Sequence, residues 1–157
     1  MRNLFRAAIA FLFALAPANA FAAPLASLTI AGAVSAQVTP PLQFVGGAPL
    51  SAPIQCSFTY GSGGTSTDVW VQTTLDGGQT WIDIANCHFT TSSARFAYNL
   101  TALTPVITEY TPTDGALSAN TSVGGFIGQS MRVKYTTVGT YAGVTTLVVS
   151  VDVQSLK

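Results

Sequence analysis

At 157 residues, with six Lys and Arg balanced by six Asp and Glu, the chain carries charge on only 8% of its positions, against about 25% in an average soluble domain. So few bases exclude a phosphate-binding surface, and no nucleic-acid partner is expected. Thr, Ser, Asn and Gln must wet most of the surface, a composition that favours self-association or incorporation into a protein assembly.

The first 22 residues read as an export leader. Arg2 and Arg6 supply a positive start, Ala7 to Ala16 an apolar run, Pro17 a helix break, and Ala18-Asn19-Ala20 or Ala20-Phe21-Ala22 a small-residue cleavage site. The apolar run falls short of the roughly 20 residues of a spanning helix, so no stable membrane span is expected once the leader is removed. No Cys stands near the cut, which argues against a lipoprotein. Removal takes two of the six bases and none of the acids, leaving four against six, a weakly acidic mature chain of one-domain length. The expected location is periplasmic, extracellular or at the cell surface.

Residues 23–52 are rich in Ala, Pro and Gly and read as an N-terminal arm with one candidate strand, Ser27 to Val34, before a domain spanning residues 53–157. That strand is either an edge or arm strand that adds to a neighbouring sheet, or a first strand followed by a loop within the same domain. From Pro53 the periodicity is β almost throughout. Strands are expected at Ile54 to Tyr60, Val69 to Leu75, Thr80 to Ala85, Arg95 to Leu100 and Pro105 to Thr111, with loops at Gly61 to Thr67 and Ala116 to Gly125. Last comes an amphipathic pair: Met131, Val133 and Tyr135 alternate with Arg132, Lys134 and Thr136, and Thr145 to Gln154 aligns Leu147, Val149, Val151 and Val153. A hairpin between these two would set Asp152 opposite Arg132 as a cross-strand ion pair. The fold class is all-β, an antiparallel β-sandwich of jelly-roll kind following a signal-like helix.

Cys56 and Cys87, the two cysteines, would meet an oxidising compartment after export, and a disulfide between them is the default expectation. Cys87 and His88 are adjacent on a strand and point to opposite faces, so they do not converge on one metal or one proton. His88 is the sole histidine, and no Gly-x-Ser-x-Gly elbow accompanies it. Among the acids, Asp83 and Glu109 lack an evident local task and are the pair a small hydrolase would have to use. Metal-ligand spacings and a Walker loop are absent, so neither metal nor cofactor is expected. The chain is therefore not expected to be an enzyme. Trp70 and Trp81 fall on one sheet face if Leu75 pairs with Thr80, which makes Trp70 either a candidate contact for a glycan or a protein partner or, since large aromatics on strands usually pack inward, a core residue.

Thr74-Leu75-Asp76-Gly77-Gly78-Gln79-Thr80-Trp81 resembles the Asp box of sialidase-type and other secreted β proteins. The resemblance implies a folded turn away from any active site, with Thr74, Asp76, Gly77, Gly78, Thr80 and Trp81 as its structural residues. One box cannot make a propeller, whose blades take about 40 residues each. Together with Thr111-Pro112-Thr113-Asp114-Gly115, Arg132-Val133-Lys134-Tyr135-Thr136-Thr137 and Gly139-Thr140-Tyr141-Ala142-Gly143, the stretch from Val71 to Val153 is similar to small β-rich virion-associated proteins of tailed phages and prophages. That resemblance implies a structural or decoration-like component acting by association, on a virion if the leader is no true signal. A secreted carbohydrate-binding module is the alternative reading.

Overall fold

The structure, a computed structural model, describes residues 22–153. Apart from Ala22, the expected leader lies outside the described residues. Ten strands follow in chain order: β1 Ala23–Gly32, β2 Gln37–Val38, β3 Leu42–Gln43, β4 Ser51–Thr59, β5 Ser62–Gly63, β6 Ser66–Thr74, β7 Ile82–Phe89, β8 Ala94–Thr101, β9 Ser130–Val138 and β10 Tyr141–Val151. They form two antiparallel sheets. Sheet A has the order β1-β10-β4-β8 with β5 paired to β10, and sheet B the order β2-β9-β6-β7 with β3 also paired to β9.

Alternation decides which residues form the core. On β4, Ala52, Ile54, Cys56 and Phe58 are buried while Gln55 and Thr59 are exposed; on β10, Leu147, Val149 and Val151 are buried. These side chains meet Val69 and Val71 of β6, Cys87 and Phe89 of β7, and Met131 and Val133 of β9 in one hydrophobic cluster. Each fully buried aliphatic side chain adds about 1.5–3 kcal/mol relative to exposure. The Phe58 and Phe89 rings stack across the two sheets at 4.9 Å.

The Cys56–Cys87 disulfide joins β4 of sheet A to β7 of sheet B with a Cα–Cα distance of 6.6 Å, as expected from the sequence. It is buried within the cluster, so it ties the layers together at their centre.

Several expectations give way to the topology. Residues 23–52 supply β1 to sheet A and β2 and β3 to sheet B, so the first strand belongs to the same sandwich and the boundary drawn at residue 53 does not divide the fold. The anticipated strand from Pro105 to Thr111 is absent: Val106 is 42% and Ile107 91% exposed, so the run has no buried face to pair upon. The closing pair is not a hairpin. β9 and β10 are consecutive but lie in different sheets, because Gly139 and Thr140 carry the chain across the edge, where the Thr65 and Gly64 amides bond the Val138 and Thr140 carbonyls. Asp152 is therefore not the partner of Arg132.

The hairpin of residues 74–81 joins β6 to β7. Asp76 Oδ1 accepts from the Thr80 amide at 2.8 Å and from the Thr74 hydroxyl at 2.8 Å, and Thr74 Oγ1 accepts from the Gly78 amide at 2.8 Å. Gly77 and Gly78 hold φ of 74° and 99°, a region that side chains with a Cβ avoid. The Trp81 indole donates to the Gly78 carbonyl at 3.1 Å, closing the turn from beneath. The Thr80 amide, then its hydroxyl, then the Thr74 hydroxyl hold the exposed Asp76 carboxyl down at about 2, against an ordinary 3.8.

Candidate functional site

The outer face of sheet B concentrates the polar chemistry of the molecule. Its registers build three cross-strand rows from β7 through β6 to β9: Asp83–Gln72–Arg132, Asn86–Trp70–Lys134 and His88–Asp68–Thr136. Simple alternation would not place Asp83 there, because Cys87 and Ala85 share its parity and face the core. A β-bulge between Val71 and Gln72 leaves Ile84 as the extra residue on β7 and turns Asp83 outward beside Gln72.

Segment 112–123 then covers this face and seals the β7 edge. Thr113 and Thr121 carbonyls accept from the Asp83 and Asn86 amides, and the Val123 amide bonds the Ile84 carbonyl, all at 2.9 Å. Asp83 anchors the segment from below. Its carboxylate accepts from the backbone amides of Gly115 at 2.8 Å, Ala116 at 3.0 Å and Leu117 at 3.2 Å, and from Gln72 Nε2 at 2.8 Å. The Trp70 indole donates to the Leu117 carbonyl at 3.0 Å, and Asn120 Oδ1 accepts from the His88 amide at 3.0 Å. Gln72, Asp83 and Asn86 are fully buried under this cover.

At the segment's corner, Asp114 Oδ1 lies 2.7 Å from Gln72 Nε2, 2.9 Å from Lys134 Nζ and 3.6 Å from Arg132 Nη2. Burial raises the Asp114 carboxyl, but the Gln72 amide, the Lys134 ammonium and the Arg132 guanidinium together outweigh it and hold the group below the usual carboxylate range. Arg132 bonds Gln72 Oε1 at 2.8 Å and spreads over the Trp81 ring, 4.1 Å from its centroid. Partial burial lowers its pKa.

The residues singled out in the sequence now have places. Trp70 and Trp81 do lie on one side of sheet B, but Trp70 is only 9% exposed beneath segment 112–123 and offers no open platform to a glycan or partner. Asp83 and Glu109 are not a matched pair: Asp83 is buried with every donor around it engaged, while Glu109 is exposed on segment 102–112. His88 Nδ1 meets Asp68 Oδ1 at 2.8 Å across the strands. Among the described residues no hydroxyl or thiol bonds the His88 ring. No three His, Cys, Asp or Glu side chains among the described residues stand close enough to hold a metal ion, and no helix there is long and apolar enough to cross a membrane. Sequence reading missed the Gln72–Asp114–Arg132 cluster. Its available signal was the break in β periodicity at Ile84-Ala85, which marks the bulge.

Sheet A presents a different surface. Its four long strands contain one charged residue, Arg95. Across its outer side run Ser27, Val148, Ser57 and Arg95 in one row and Thr29, Thr146 and Thr59 in the next. Val148 is 37% exposed at the middle of this face. No family model, curated protein or solved structure matches the chain.

Proposed function

We propose that the exported sandwich is a non-enzymatic interaction domain that works by association through sheet A, with itself or with a protein partner at the cell envelope. A virion accessory role is the form this takes if the leader is no true signal. The observation that carries the reading is the near absence of charge on sheet A: Arg95 is the one ionic residue on its four long strands. Such a face repels an approaching copy weakly and loses little hydration energy on contact. Its β8 edge strengthens the case, since that strand pairs with β4 on one side only. Sheet B is blunted on both sides, by segment 112–123 on β7 and by β2 and β3 on β9. Of the two acids a hydrolase would recruit, Asp83 is engaged by segment 112–123, and Glu109 is exposed on a different segment.

Analytical ultracentrifugation of the exported protein tests this. The wild type is expected to associate as concentration rises, or to sediment with an envelope or virion fraction. Val148→Lys combined with Thr146→Lys should abolish either behaviour with the melting temperature unchanged. Wild-type protein that stays monomeric and joins neither fraction, or that turns over an ester or glycoside, overturns the proposal.

A further inference from the structure

The end of β1 nearest the leader brings two features together. Ala23 pairs with Val151 at the start of the β1–β10 ladder, so the peptide between Ala22 and Ala23 lies beside Asp152. Ala22, Pro53, Gln55, Tyr98, Ser150 and Asp152 line a groove of about 530 Å³ here, and Asp152 is the one charged side chain around it. The second feature is the state of that carboxylate. Asp152 Oδ1 is buried and has no hydrogen-bond partner among the described residues, although the Asp152 amide is held by the Pro53 carbonyl at 2.9 Å. An unpartnered buried carboxylate oxygen costs stability unless a cation reaches it. Neither Arg132 nor Lys134 does, since both are engaged at Asp114 on the other sheet. The other titratable lining group, Tyr98, donates its hydroxyl to the Asn86 carbonyl at 2.7 Å, and burial pushes its phenol up.

Resting on the export reading above, we propose that leader removal after Ala22 creates the missing partner: the α-ammonium of Ala23 pairs with Asp152 and locks β1 onto β10. Hydrolysis of the Ala22–Ala23 peptide by a leader-cleaving protease consumes one water, leaves a carboxylate on the departing Ala22 and an ammonium on Ala23. The departure of Ala22 also clears its side of the groove. Ala20-Phe21-Ala22 satisfies the small-residue rule for this cut. Cutting after Ala20 instead would leave the ammonium two residues short of the pairing position. Maturation and closure of the sandwich edge are thereby one event.

Intact mass of the exported full chain reads the cut, and the rate of acetylation of its α-amine at pH 7 reads the pairing, with an Ala-Pro-Leu peptide as reference. A mature chain beginning at Ala23 is expected, its amine acetylated about tenfold more slowly than the peptide's, which corresponds to a one-unit upward shift from the ordinary 7.7–8.0. Asp152→Asn should restore the peptide rate, whereas burial alone would leave it slow. Should that variant fail to fold, a mature chain with one added Gly before Ala23 keeps Asp152 and should acetylate at the peptide rate. A cut after Ala20, or a peptide-like rate in the wild type, overturns the pairing and leaves export standing; no cut in exported material removes the export reading itself.

Discussion

Replacing Asp83 tests whether one buried carboxylate holds segment 112–123 against sheet B. Asp83→Ala removes the acceptor for the Gly115, Ala116 and Leu117 amides and for Gln72 Nε2, four donors within 3.2 Å. A hydrogen bond to a charged group contributes about 1.5–3 kcal/mol, and a buried donor left unsatisfied costs about 1–3 kcal/mol. The four losses do not add in full, because Gln72 keeps Asp114 and the segment lies at a sheet edge where water can enter. A cost of about 3–5 kcal/mol is expected for Ala, and about 2–3 kcal/mol for Asn, which retains one acceptor oxygen but points an amide at its former donors. Against a total stability of about 5–15 kcal/mol this is a large fraction. Urea unfolding in a Trp81→Phe background isolates Trp70, whose indole bonds Leu117 in the same segment. If the segment stays docked, the midpoint falls with the slope unchanged. If the penalty exceeds the docking energy, the segment lifts and Trp70 emission shifts to the red without urea while far-UV dichroism is retained. A midpoint unchanged by either substitution, with unshifted Trp70 emission, would refute the anchoring role.

Two further outcomes follow from the turn and the disulfide. Replacing both Cys56 and Cys87 with Ala opens a link between residues 31 apart, which the chain-entropy relation values at about 3–4 kcal/mol. The melting temperature should fall by about 10 °C or more, and a loss of only a degree or two would mean that the reduced chain is already held by other contacts. Because Asp76 is depressed to about 2 from 3.8, its contribution to the hairpin is fully present above pH 3.8 and is lost as pH falls through 2. An NMR titration of its carboxyl carbon should show a midpoint near 2 that moves upward in Thr74→Val; a midpoint near 3.8 in the wild type would show that the turn bonds do not form in solution.

How much of this was legible in the sequence depended on range. The Thr74–Trp81 turn is written within eight residues, since Thr74, Asp76, Gly78 and Thr80 satisfy one another locally. The all-β class followed from period-two alternation along β4 and β10, and the disulfide from the pairing expected of two cysteines in an exported chain. Pairing across distance was not legible. Identical alternation in β9 and β10 is compatible with a hairpin or with two facing sheets, and the difference lies in where Gly139 and Thr140 send the chain. Trp70 carries no mark of the cover supplied by residues 112–123, more than forty positions later in the chain. Asp83 faces outward because one bulge shifts the parity of β7, and among the described residues Asp152 meets no cation, since Arg132 belongs to the other sheet. Turn chemistry and periodicity act between near neighbours and are carried by composition and order. The choice of partner strand is decided by which buried faces meet in three dimensions, and only the tertiary structure holds that information.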